Sequence, residues 1–304
     1  MIVSASYRTD IPAFYGDWFL RRLAEGFVRV ANPYGGRPYA VSLHAPDCDG
    51  FVFWTRNIAP FKPALAEVAA RGLPFVVHMT ITGYPRALES SVVEPARAIE
   101  DMQWLAATYG PRVAVWRYDP VLITALTDAE WHRETFACMT GLLSGASDEV
   151  VLSFAQIYAK TRANLDRAAA RHGFTWRDPG VEEKAALLSE LASIAAQEGL
   201  HATLCSQPDL LGKTLAPARC IDAARLSDSA GHDIAAKTKG NRPGCLCAQS
   251  RDIGAYDTCP HGCTYCYAVR RPELAKKNFR AQDPSAPMLG RSQMEVSESR
   301  EPLS

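Results

Sequence analysis

Asp252-Ile-Gly-Ala-Tyr-Asp-Thr-Cys-Pro-His-Gly-Cys-Thr-Tyr-Cys-Tyr-Ala268 joins a short apolar and aromatic run to three thiols at CxxxCxxC spacing. Cys259, Cys263 and Cys266 can close on one face of an iron-sulfur cube. A cube has four irons, so three protein thiolates leave one iron for an outside ligand, whereas a pure electron carrier is normally held by four. An open iron points to chemistry. The spacing differs from the C-x2-C-x2-C-x3-C run of bacterial two-cluster carriers, and zinc sites more often pair two CxxC units at a distance.

Away from this stretch, short β-branched or aromatic runs alternate with longer segments of helical period, the pattern of a parallel sheet covered by helices. Strands are expected at 2–6, 51–55, 75–81, 113–117, 150–154 and 201–204, several of them nearly continuous apolar runs, as buried parallel strands should be. Helices are expected over 17–25, 63–71 and 94–109, each followed by a glycine at the C′ position, and over 161–172 and 181–198. Asp128 is the expected N-cap of a further helix. Residues 27–43 read as an added hairpin around Asn32-Pro-Tyr-Gly-Gly36. The fold class expected is α/β, a parallel TIM-like βα barrel of one domain over 1–282 that includes a metal-binding segment, 205–266. A disordered tail is expected over 283–304, which is rich in Ser, Pro and Glu.

Polar residues gather where these strands end: Arg8 and Asp10, Arg56 and Asn57, Thr82, Arg117 and Asp119, and Gln156. In βα barrels active sites form at the C-terminal strand ends. Asp10-Ile-Pro and Asp119-Pro are equally ordinary turn and helix-start signals. As a set, charged side chains leaving apolar strands need a polar cavity or a partner to offset their desolvation. Arg56, Arg117 and Asp119 are the candidate catalytic, substrate-contacting residues.

At 304 residues and 47% hydrophobic, the chain can bury a full core. Lys plus Arg and Asp plus Glu are equal at 33 each, so no global field favours nucleic acid or an anionic membrane. No apolar run approaches about 18 residues and the N-terminus carries no signal pattern, so a cytoplasmic protein without a membrane partner is expected. Nine cysteines in such a chain argue for metal ligation over disulfides. No G-x-S-x-G elbow or phosphate-binding P-loop is present.

Four more cysteines precede the loop. Cys245 and Cys247, if extended, point to one side. With Cys205 and Cys220 they can form a closed site, either a second 4Fe-4S cluster, the favoured assignment, or structural zinc. Cys205 as a plain buried hydrophobe is the competing account, and Cys48 and Cys138 read as buried small residues. Residues 237–280 hold nine Lys or Arg against three Asp or Glu. These cations either offset the negative charge of a thiolate-ligated cluster or line a route for a phosphate-bearing substrate such as nucleic acid. The residues of that route would be Lys237, Lys239, Arg242, Arg270, Arg271, Lys276 and Lys277, with Tyr256, Tyr265 and Tyr267 as stacking partners. His261 is read equally as a partner of the cluster loop or a solvent-facing turn residue, and His78 as a satisfied core histidine.

The octapeptide 259–266 resembles the cluster loop of the radical S-adenosylmethionine superfamily, in which an aromatic, here Tyr265, precedes the last cysteine. Tyr265-Cys-Tyr-Ala268 is most similar to its spore photoproduct lyase branch. The longer run from Asp252, together with Ser4-Ala-Ser-Tyr-Arg-Thr-Asp-Ile-Pro12, resembles an uncharacterised prokaryotic family of unknown function over most of the chain. The superfamily resemblance implies a 4Fe-4S cluster on Cys259, Cys263 and Cys266, with S-adenosylmethionine on the open iron. It also implies an electron donor such as ferredoxin or flavodoxin, and a 5′-deoxyadenosyl radical acting on an unknown substrate, nucleic acid being one candidate. In that superfamily the loop usually lies near the N-terminus, after the first barrel strand; here only 38 residues follow Cys266. A circularly permuted barrel is therefore expected, with residues 253–256 as its first strand beside 2–6 and residues 271–280 as the helix after the loop. Arg8 and Asp10 then stand where the cofactor's carboxylate and amine are bound, with Tyr265 beside the cluster. The rival class is a non-enzymatic protein whose cysteines hold zinc or closed clusters for folding alone.

Overall fold

The computed structural model describes residues 1–32 and 35–290. In chain order the elements are β1 (Ile2–Ala5), α1 (Ile11–Phe14), α2 (Gly16–Glu25), β2 (Phe27–Val30), β3 (Tyr39–Ser42), β4 (Gly50–Thr55), α3 (Lys62–Ala70), β5 (Phe75–Thr80) and α4 (Pro95–Tyr109). There follow β6 (Ala114–Val121), β7 (Ile123–Thr124), α5 (Ala129–Leu143), β8 (Glu149–Phe154), α6 (Ala159–His172), β9 (Trp176–Arg177) and α7 (Val181–Gln197). The chain continues through β10 (His201–Leu204), β11 (Ala216–Pro217), α8 (Ala223–Ala230), β12 (Ser250–Asp252) and α9 (Pro272–Arg280).

Eight strands form one parallel sheet in the order β11-β10-β8-β6-β5-β4-β1-β12. The strand last in sequence therefore lies beside the first, with Ile2 opposite Ser250. No ladder joins the edge strands β11 and β12 among the described residues. The expected hairpin is present as β2 paired antiparallel with β3; Pro33 and Tyr34 of its turn lie outside the described residues. A second small ribbon, β7 with β9, has no counterpart among the expected elements.

Alternation explains why the strands read as continuous apolar runs. Phe51, Phe53, Phe75, Val77, Trp116, Val150 and Leu152 point to one face, which is covered by residues such as Phe19, Leu65, Met102, Phe136 and Leu188 of the helices. Ile2, Val52, Val76, Val115 and Val151 point to the other. That face is covered by the segment after β10, through Cys205, Ala218, Cys220, Ile221, Leu226 and Cys247. Both faces are buried, as a parallel sheet requires. The cysteine-bearing segment is thus one layer of the fold.

Helix ends follow local chemistry. Asp128 caps α5 by accepting from Trp131 N, and Gly26 ends α2 in the left-handed region at φ 80°.

Three expectations change. The strand beside β1 is Ser250–Asp252 rather than 253–256: after Ile253 N donates to Ser4 O the chain turns away, and a side chain at Gly254 would collide with Ser6 Oγ. Strand β6 runs past Arg117 to Val121, so Arg117 and Asp119 lie within it, on the same face by the two-residue period. Residues 283–290, expected to be disordered, pack on the fold: Trp18 Nε1 donates to Ala286 O at 2.9 Å, Arg29 N donates to Pro287 O at 2.8 Å, and Leu289 is buried. Residues 291–304 lie outside the described residues.

Candidate functional site

The loop 259–266 sits over the C-terminal ends of β1 and β4, held by four attachments. His261 Nε2 meets Asp10 Oδ2 at 2.7 Å. Tyr15 Oη donates to Thr258 O at 2.6 Å. Backbone bonds from Ser91 N to His261 O and from Thr264 N to Leu88 O pair the loop with the segment after β5. Tyr265 Oη donates to Glu89, which also pairs with Arg56 Nη1 at 2.8 Å and accepts from Thr82 Oγ1 at 2.8 Å. His261 is therefore a buried anchor and not a solvent-facing turn residue. Gly262 has φ 73°, and a Cβ there would run into Ser90 Oγ, so the loop's path requires glycine.

Cys259, Cys263 and Cys266 line one cavity of about 590 Å³ together with Arg8, Asp10, Arg56, Arg117, Asp119, Tyr265 and the four cysteines of the second set. Its walls come from the residues that follow β1, β4, β8, β10 and β12 and from the end of β6. The seven thiols form two sets on this cavity.

In the loop set, burial is the main influence on all three thiols. It holds Cys259 well above the usual range, with Asp10 and the neighbouring thiols adding to it. It pushes Cys263 up to about 12 against the opposing pull of Arg56, and it also raises Cys266. Ala268 N donates to Cys266 Sγ at 3.3 Å. The three thiols share one cavity and would repel one another as thiolates, so any group that bound all three would have to supply positive charge.

The second set runs as a chain of contacts. Cys205 Sγ lies 3.5 Å from Cys220 Sγ, Cys220 contacts Cys247, and Cys247 contacts Cys245. Arg117 Nη1 donates to Cys220 at 3.1 Å and Arg242 Nη2 to Cys205 at 3.3 Å. Contact with Cys247 brings the Cys245 thiol down to about 5. Contact with Cys220, then burial, hold Cys205 well above the usual range. Among the described residues no three His, Cys, Asp or Glu side chains gather about a point suited to one metal ion. Cys48 is buried. Cys138, expected to be buried, is exposed, because it faces away from the side of α5 that carries Phe136, Met139 and Leu143.

Each strand-end residue has a definite place. Asp10 is fully engaged: Oδ1 accepts from Ala13 N at 2.9 Å as the cap of α1, and Oδ2 accepts from Arg56 N at 2.8 Å besides meeting His261. Arg8 lies 5.5 Å from the ring centroids of both Tyr7 and Tyr256, and its Nε lacks a hydrogen-bond partner. Arg117 pairs with Asp119, which also accepts from Ser153. Of the seven basic residues proposed as a route, only Arg242 lines the cavity; the other cations there are Arg8, Arg56, Arg117 and Lys160. His78 is a core residue, stacked on Trp54 at 5.3 Å and bonded to Cys220 O at 2.7 Å.

Besides Lys160, in the first turn of α6, two residues escaped sequence reading. Glu89 follows β5 in a stretch without regular period. Asp252 accepts from Ser4 Oγ, Ser6 Oγ, Tyr7 N and Gly254 N, fastening the C-terminal strand to the N-terminal one. Only its position at the head of the motif run was a signal for it.

The fold and cavity define a parallel α/β protein with two sets of thiols sharing one mouth at the C-terminal strand ends. The chain belongs to the family described as Domain of unknown function (DUF1848), whose model matches residues 2–268. No curated protein matches it. Solved structures that resemble it include a D-hydantoinase, at 9% identity and TM-score 0.31 over 67% of this chain and 40% of that one. Another is a D-hydantoinase from Bacillus sp. AR9, at 10% identity and TM-score 0.31 over 75% and 44%. The chain spans less than half the length of either. No helix among the described residues is long and apolar enough to cross a membrane.

Proposed function

We propose that this protein is a radical-S-adenosylmethionine-type enzyme built on a circularly permuted βα barrel, with a 4Fe-4S cluster on Cys259, Cys263 and Cys266. The observation that carries the reading is that three loop thiols, and no fourth from the same loop, face a cavity of about 590 Å³, within the range of ligand sites. The barrel reading is supported by β12 beside β1 and by placement of the loop over the C-terminal strand ends.

When bound, the cluster and S-adenosylmethionine would supply reductive cleavage of a sulfonium carbon-sulfur bond and a carbon radical able to take hydrogen from substrate. The chain's own residues have narrower tasks. Arg8, whose Nε makes no hydrogen bond and lies 3.6 Å from Asp252, is the candidate for the cofactor's carboxylate. Asp10 acts through His261 and Arg56 rather than on a ligand amine, because its oxygens are taken. Arg56 and Glu89 hold Tyr265 beside Cys266. Arg117 and Asp119 line the cavity, Arg117 beside Cys220, where a substrate would touch them. The second set is assigned to a second 4Fe-4S cluster, receiving electrons from a small carrier protein such as a ferredoxin or flavodoxin.

The test is anaerobic reconstitution, iron and sulfide counting, reduction with dithionite and assay for 5′-deoxyadenosine. The expected result is iron beyond one cube, a spectrum that responds to S-adenosylmethionine, and 5′-deoxyadenosine. A protein that takes up only zinc, or a cluster indifferent to S-adenosylmethionine, would leave the non-enzymatic metal-binding reading in its place.

A further inference from the structure

We propose that the substrate of this cavity carries a dianionic oxyanion, a phosphate monoester, bound by Lys160 and Arg242. This rests on the reading of the cavity as a reaction site and adds the class of substrate. Five cations line the cavity. Arg8 has Asp252 at 3.6 Å, Arg56 has Glu89 at 2.8 Å, and Arg117 has Asp119. Lys160 and Arg242 have no carboxylate partner among the described residues, and no cavity carboxylate is left to serve them. Asp10 is engaged by His261 and two backbone N–H groups, and Asp119 by Arg117 and Ser153.

The two cations share one wall. Lys160 lies 5.5 Å from the Tyr256 ring centroid, in the first turn of α6. Arg242 Nη1 donates to Gln156 Oε1 at 3.3 Å, four residues before Lys160. No side chain caps α6, so the helix adds a field of the same sign. Across Tyr256, Arg8 Nε is a buried donor that makes no hydrogen bond, with Asp252 Oδ1 3.6 Å away. Arg242 Nη2 also donates to the Cys205 thiol at 3.3 Å, and no carboxylate pairs with either cation, so positive charge on this wall exceeds carboxylate charge. Like charges in a partly enclosed site repel and are poorly hydrated, and an oxyanion between them relieves both effects. A phosphate monoester carries about −1.5 to −2 near pH 7 and accepts from guanidinium and ammonium groups together. A monocarboxylate balances only one of the two.

The experiment is calorimetric titration of the full chain with inorganic phosphate, malonate and acetate, on metal-free and anaerobically reconstituted protein without S-adenosylmethionine. Phosphate is expected to bind at least about tenfold more tightly than acetate in both forms. Lys160→Met and Arg242→Gln should each weaken it by about tenfold or more, the loss expected for one charge-assisted hydrogen bond. Lys160→Arg should retain binding. Equal phosphate affinity in wild type and both variants overturns the proposal, and preference for malonate overturns the phosphate assignment. Phosphate binding that disappears on reconstitution, with iron content falling in Lys160→Met, also overturns it, because the cations would then balance the clusters. None of these outcomes depends on whether 5′-deoxyadenosine is formed.

Discussion

The His261 imidazole and the Asp10 carboxylate meet at 2.7 Å across 251 residues of sequence, and through this contact the cysteine loop is tied to the end of the first strand. Asp10 also caps α1 and accepts from Arg56 N, so one buried carboxylate fixes three segments around the cavity. Loss of a cap costs about 1 kcal/mol, and a buried donor left without its acceptor costs about 1–3 kcal/mol. Asp10→Ala should lower unfolding free energy by about 2–4 kcal/mol in urea titration at unchanged slope. It should also reduce iron uptake on reconstitution. Full iron uptake in a destabilised variant would show that the loop keeps its shape without this anchor.

Glu89 is the carboxylate facing Arg56, whose side chain is 9% exposed. Removing one member of a buried ion pair leaves the other charged and unpaired, at a cost of about 3–5 kcal/mol. Glu89→Ala should therefore be the most destabilising single substitution around the loop, with Glu89→Gln milder because it keeps an acceptor for Tyr265. A midpoint for Glu89→Ala near that of wild type in guanidinium chloride would mean that Arg56 has found another partner.

Gly262 requires both a left-handed backbone and the absence of a Cβ against Ser90. Gly262→Ala should cost about 1–3 kcal/mol through strain and displaced packing. Adding Ser90→Gly should recover the part due to collision and leave the part due to φ. If the double variant is as unstable as the single one, the collision contributes nothing.

Acid sensitivity should have a histidine component. Burial brings the His132 imidazole down to about 4 and, with Arg117 adding to it, holds His78 well below its ordinary value. His132 Nδ1 accepts from Tyr118 Oη at 2.8 Å while Nε2 donates to Leu122 O at 3.1 Å, the pattern of a neutral ring. The unfolded chain takes up a proton near pH 6.5 and the folded chain does not until lower pH, so stability falls as pH drops from about 6.5 towards 4. For His132 alone the loss approaches about 3 kcal/mol over that window. His132→Gln should flatten this part of the stability profile measured by urea titration. An unchanged slope would assign the acid sensitivity to other groups.

The alternation of apolar runs with helical segments located all six expected strands of the sheet, because a parallel strand buried on both faces has few polar positions to disguise it. Glycine signals located the ends of three helices for a similarly local reason. The C-terminal strand and the second cysteine set were read less well. Ser250–Asp252 is polar and short, and it is a strand only because Asp252 is held by Ser4, Ser6 and the Tyr7 and Gly254 backbone. Cys205, Cys220 and Cys247 suggested a separate metal site, yet they also form part of the layer over one face of the sheet. Cys138 was misplaced because a helical pattern gives the period of an element without its rotation.

By itself the sequence determined the parallel α/β class, the loop with three thiols, and the polar residues that the strands deliver at one end, since these depend on local spacing and side-chain period. Only the tertiary structure decided which distant groups share the cavity. It separated Arg242 from the other basic residues near it in sequence, set Lys160 beside Tyr256, and closed Asp10 and Glu89 onto the loop rather than onto a ligand. Such assignments depend on how a buried charge finds its partner. That partner is chosen by the packing of segments hundreds of residues apart, which no local pattern records.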